Sequence, residues 1–156
     1  MQPMSFVPRG MRAILMGATA LVLAFGLMQL VPYRVTNHRV SAEPRWDSPQ
    51  TRALVVAACY DCHSNETKTP WYGKIAPVSW WVTNHVDDGR AAVNFSEWDK
   101  PQGEGGRESA RTVRDGSMPP SYYTWFGLHS GAKLTSAQRA QPVSYTHLTL
   151  PTILRV

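Results

Sequence analysis

Two cysteines and a histidine are the residues best placed to do chemistry. They form Cys59-Tyr60-Asp61-Cys62-His63, and the 156 residues contain no other cysteine. Two thiols at this spacing can add to the two vinyl groups of a porphyrin, and the next residue sets an imidazole beneath the iron. The pattern predicts one covalently attached haem c on Cys59 and Cys62, with His63 as proximal axial ligand. Three other readings use the same residues. A zinc half-site needs two further ligands, and His85 and His129 lack paired-ligand spacing. A redox dithiol belongs at a strand-to-helix turn of a βαβ unit, a pattern missing here. Chance is the third reading, because the pattern fixes only three positions.

His63 leaves the far side of the iron open. Met118 stands in Gly116-Ser117-Met118-Pro119-Pro120, where two prolines exclude a helix. A thioether presented from such an extended loop favours ferrous iron and raises the potential. The expected metal ligands are therefore His63 and Met118. The competing role for Met118 is packing against the haem edge without a bond. His85, in a helical stretch, and His129, beside a glycine-containing turn, are lesser candidates and read more simply as packed or surface residues. The remaining methionines lie within residues 1–28.

These side chains must be positioned by helices, since no strand alternation, internal repeat or glycine-rich phosphate loop occurs. Asp47 or Ser48 can cap a helix, Pro49 suits its first turn, and Thr51 to Ala58 continue it towards Cys59. Ser64 to Ile75 is polar and reads as a loop around the haem edge. Pro77 opens a second helix over about 78–93, and a third is expected from Arg107 to Arg114. Tyr122, Tyr123, Trp125 and Phe126 follow Met118 as core or haem-pocket aromatics. The soluble part is thus expected to be all-α.

From Ala13 to Tyr33 no residue is charged. As a helix this run would span roughly 30 Å, the depth of a bilayer's hydrocarbon core. An uncleaved anchor is the preferred reading. The rival is a signal peptide, whose best cleavage site, Val40-Ser41-Ala42, lies well beyond the run. Arg9 and Arg12 favour a cytoplasmic N-terminus, and Arg34 and Arg39 on the far side count against that asymmetry. Either way, residues from about 41 onward are sent across the membrane. The expected organisation is a cytoplasmic N-terminus (1–12), a transmembrane anchor (13–33), a linker (34–46), a haem-binding domain (47–140) and a tail (141–156). The formal charge of +5 comes from arginines around the apolar run and in the tail, because acidic and basic residues balance between Glu43 and Arg139. Such a domain offers no phosphate-binding face, so nucleic acid is not an expected partner.

Over Ser41 to Arg139 the sequence resembles the haem-binding domain family of small membrane-anchored bacterial proteins. The matching segments include Asp47-Ser48-Pro49-Gln50-Thr51, Cys59 to Thr67, Pro70-Trp71-Tyr72, Ile75 to Trp80, Gly89-Arg90, Asn94 to Trp98 and Met118-Pro119-Pro120. The resemblance implies a cytochrome-c-like helical fold, a c-type haem on Cys59, Cys62 and His63, Met118 in the distal position, and redox proteins as partners. One departure stands out. A cytochrome-c-like domain should end in a long amphipathic helix, but Pro142 stops the one that begins at Thr135-Ser136. Residues from about 141 onward resemble a translated sequencing adapter and are expected to be non-native.

Filled axial positions leave no open iron, so the leading expectation is an electron carrier tethered at the periplasmic face of the bacterial cytoplasmic membrane by a single pass. Its partners would be redox proteins of the membrane or periplasm. The alternative is a five-coordinate haem with peroxidase-like or sensory chemistry. It requires Met118 to be unbound, and no acid/base set stands out to support it, so no catalytic residue is assigned.

Overall fold

The computed structural model describes residues 8–102 and 104–140, with the side chains of residues 103–107 left aside. The non-native tail expected at 141–156 and most of the N-terminal segment 1–12 lie outside these residues. The described chain is all-α, with no named strand among the described residues and one isolated bridge, Ala42 to Glu97.

The first helix, α1 (Arg9–Met28), has no buried residue along its length and is long and apolar enough to cross a membrane. It stops short of the end of the uncharged run. The amides of Gln29, Leu30 and Val31 fold back onto the carbonyls of Gly26, Leu27 and Met28, and Pro32 has no N–H to continue the ladder.

The Cys59–His63 motif is delivered by α2 (Pro49–Ala58). Ser48, not Asp47, is the cap: its hydroxyl accepts the Thr51 amide at 3.2 Å, and Pro49 occupies the first turn. The helix breaks at Cys59, and a single turn, α3 (Tyr60–His63), carries the rest of the motif. The cysteines thus sit on either side of a bend. A 3-10 turn (Trp71–Lys74) interrupts the following loop, and then comes α4 (Val78–Ala92). The third expected helix is α5 (Glu104–Asp115), which starts before Arg107, and α6 (Ser136–Ala140) ends the described chain.

Two apolar clusters hold these elements together. One joins Val55, Tyr60, Val93, Phe95 and Trp98. Phe95 is its hub: its ring stacks on Tyr60 at 5.8 Å and on Trp98 at 5.9 Å, and meets Trp46 and His63 at 5.9 and 6.5 Å. The other joins Ala58, Val113, Ala132 and Leu134. Cys59 packs against both. Phe95→Ala empties the hub of the first cluster, and is expected to cost roughly 3–5 kcal/mol of folding stability. Denaturant titration followed by circular dichroism checks this, and a cost below about 1 kcal/mol would show that the stack does not organise the core.

Candidate functional site

Residues of α2, the Cys59–His63 motif, α4 and the Met118 loop enclose a cavity of about 830 Å³, within the size range of cofactor sites. Cys59, Cys62 and His63 line it, with apolar walls from Leu54, Val55, Val86, Val93 and Phe95. Met118, Pro119 and Tyr122 line it too. All four residues expected from sequence to bind a haem therefore share one cavity.

The His63 ring has a fixed orientation. Its Nδ1 lies 2.8 Å from the Gly89 carbonyl and 3.2 Å from that of Val93. Carbonyls only accept, so Nδ1–H is the donor, and Nε2 is the nitrogen left with a lone pair. Burial pushes the pKa of His63 down, against the opposing pull of these two carbonyls, and favours the neutral, ligating form. A carbonyl on the second nitrogen is the arrangement that aligns metal-bound histidines and strengthens them as donors. The carbonyls belong to the last turn and the C-cap of α4, and that of Gly89 also accepts the Val93 amide at 2.9 Å.

Gly89 makes that approach possible. A Cβ there would stand 2.5 Å from the Cys62 carbonyl oxygen and 3.2 Å from the Cys62 Cβ. Only glycine lets α4 lie this close to the motif. The cysteines are free thiols. Burial, and the neighbouring Cys62, push Cys59 up to about 12, and burial with Asp61 pushes Cys62 up to about 11. Redox dithiols work through a depressed thiol pKa, and burial here acts in the opposite direction. Among the described residues no cluster of three or more His, Cys, Asp or Glu is placed to hold a metal ion, and the zinc alternative lacks a ligand set. An apolar cavity with two reduced thiols and one oriented neutral imidazole fits a haem.

Behind the motif lies a polar clamp. The Phe95 amide donates to the His63 carbonyl at 2.8 Å, and the Asn65 amide to Ser96 Oγ at 2.9 Å. Asn94 Nδ2 donates to Asn65 Oδ1 at 3.0 Å. Arg90 spreads its guanidinium over the Ser64 and Thr36 carbonyls, Asn37 Oδ1 and Thr67 Oγ1. Asn65, Arg90, Asn94, Phe95 and Ser96 belong to segments that resemble the family, but their role depends on contacts between distant parts of the chain.

On the other side, Met118 is 38% exposed, and its amide donates to the Thr112 carbonyl. The segment after it is tied down twice. The Tyr122 ring meets Trp81 and His85 of α4 at 6.0 and 6.1 Å, and the Tyr123 hydroxyl donates to Asp61 Oδ2 at 2.8 Å. Burial, with Asp61 beside it, holds the Tyr123 phenol well above its ordinary pKa, so it stays a donor. His85 lines the cavity, but its Nδ1 donates to the Trp81 carbonyl from an exposed position. His129 is half-buried rather than exposed. Its ring stacks on Tyr123 at 4.0 Å, and its Nε2 pairs with the Tyr72 hydroxyl at 3.2 Å.

A family model, the haem-binding domain, matches residues 23–147, from inside α1 to beyond α6. The chain belongs to the haem-binding domain family. No curated protein and no solved structure matches it. Membership makes this a haem-binding protein, and the cavity around Cys59, Cys62 and His63 is the haem-binding domain's candidate site.

Gly89→Ala is expected to force α4 away from Cys62 and to lengthen both carbonyl contacts of His63. The variant should fold less stably by about 1–3 kcal/mol, the usual cost of overpacking, and should retain less haem per polypeptide after purification. Parallel denaturation and haem quantification check this, and wild-type values in both would refute the close-approach argument.

Proposed function

We propose that this protein is a monohaem c-type cytochrome, with iron held between His63 and Met118, that carries electrons at the outer face of the cytoplasmic membrane. The observation that carries the reading is the pair of carbonyls on His63 Nδ1, which turns one nitrogen into a fixed donor and commits the other to the cavity. Free Cys59 and Cys62 beside it supply the thiols that thioether attachment consumes. Bound there, the haem would exchange single electrons between its ferric and ferrous states.

The protein's own residues do the rest. The Phe95 hub and the apolar walls exclude water, which favours the less charged ferrous form. His63, held by backbone rather than by a carboxylate, stays a neutral ligand. Met118, on a loop tied at Tyr122 and Tyr123, offers a thioether where an open position would otherwise admit small ligands. The partners in this reading are redox proteins of the membrane or periplasm.

The packing of residues 36–42 supports an anchor that is kept. Thr36, Asn37 and Arg39 supply acceptors to Arg90 and Asn65, and the Ala42 carbonyl accepts the Trp98 amide at 3.0 Å. Cleavage after Ala42 would remove a strap that is bonded into the haem domain, so α1 reads as a single-pass anchor.

Oxidised and reduced absorption spectra with a redox titration test the ligation. The wild type is expected to be low-spin, with the weak near-infrared band of a ferric iron–thioether bond. Met118→Ala should lose that band and lower the midpoint potential by on the order of 100 mV, part of the roughly 0.8 V that axial ligands command. A high-spin wild type whose spectrum Met118→Ala leaves unchanged would instead support the five-coordinate reading.

A further inference from the structure

The first residue after α1 grips the haem domain. Gln29 Nε2 donates to the Ala76 carbonyl at 3.1 Å, and the Ala76 amide donates back to Gln29 Oε1 at 2.9 Å. This two-point clamp spans 47 positions of sequence and satisfies both backbone groups of a buried residue. It fixes where the membrane-crossing helix meets the domain, just ahead of the N-terminal end of α4.

The chain then climbs α4. Tyr33 donates to Asp87 at 3.2 Å, the Thr36 carbonyl accepts from Arg90 at 2.8 Å, and Ala42 pairs with Glu97 beyond the helix. Val78 and Arg90 are separated by roughly 18 Å of helix at 1.5 Å per residue. The N-terminal end of α4 is therefore the end beside α1, and the Glu97 turn is the far one.

At the near end, large apolar side chains face solvent. Trp71 is 75% exposed, Val78 42% and Ile75 37%, and all three lie within five positions of Ala76. Lys74, also exposed, stands among them. A helix the length of α1 spans roughly 30 Å, so Gln29 falls where hydrocarbon gives way to headgroups. Tryptophan, with an apolar body and a polar N–H, is enriched at this depth, and lysine pairs there with lipid phosphate.

We propose that Trp71, Ile75 and Val78 form a membrane-docking surface, seated in the headgroup region of the bilayer that α1 crosses. The occupant is lipid because the clamp makes this surface continuous with the anchor, and the inference rests on α1 spanning a membrane. Docking would stand α4 up from the membrane, and would hold the haem cavity at a set height and orientation instead of letting the domain swing on a tether.

The test uses the full haem-loaded chain in nanodiscs of phosphatidylethanolamine and phosphatidylglycerol doped with a diazirine phospholipid. After irradiation, peptides are mapped by mass spectrometry. Adducts are expected in α1 and in residues 71–78, the latter several-fold above those in residues 97–100. Adducts in α1 with residues 71–78 no richer than 97–100 would overturn docking and leave the anchor standing. No adducts in α1 would overturn the anchor itself, and docking with it.

Discussion

The approach of α4 to the haem motif is the constraint on which the rest of this structure depends. Gly89 lies against the Cys62 backbone, where no side chain fits, and its carbonyl accepts the hydrogen bond from His63 Nδ1–H at 2.8 Å. One residue thus sets the distance between two helices and the orientation of the His63 imidazole. Burial of His63 would be costly with a bare N–H in an apolar pocket. The Gly89 and Val93 carbonyls at the end of α4 accept it, and the imidazole is left neutral with its second nitrogen free.

Everything around that contact keeps it from shifting. Phe95 stacks between Tyr60 and Trp98 while its amide holds the His63 carbonyl, so the apolar core and the polar clamp meet in one residue. Arg90, next to Gly89, joins α4 to the strap that follows α1 through Thr36 and Asn37. Such a planar fork of donors satisfies several carbonyl and amide oxygens at once, which a lysine could not do. The strap after α1, the motif and α4 therefore behave as one mechanical unit.

The sequence carried the local features well. Cys59-Tyr60-Asp61-Cys62-His63, the Ser48-Pro49 helix start and the non-helical Met118 loop are all read from neighbouring residues, and the all-α class follows from the absence of alternation. What could not be read depends on residues far apart in the chain. Nothing local distinguishes Gly89 from an unremarked helical glycine, because its purpose is the Cys62 carbonyl. Arg90 looks like a surface charge until the strap wraps back onto it. His129 reads as exposed until Tyr72 and Tyr123 enclose it. The uncharged run also extends past the end of α1, since apolar composition says nothing of the turn before Pro32. Segments such as Asn94 to Trp98 were visible as a pattern without a reason, and the reason is the clamp behind His63.

The central claim is covalent attachment of haem to the two motif thiols. The most direct measurement is the intact mass of the full chain, matured in cells equipped for cytochrome c assembly, after denaturation and acidic organic extraction. One haem is expected to stay on the polypeptide, and none on a chain carrying Cys59→Ala and Cys62→Ala. A wild-type chain that surrenders its haem to extraction would contradict that attachment.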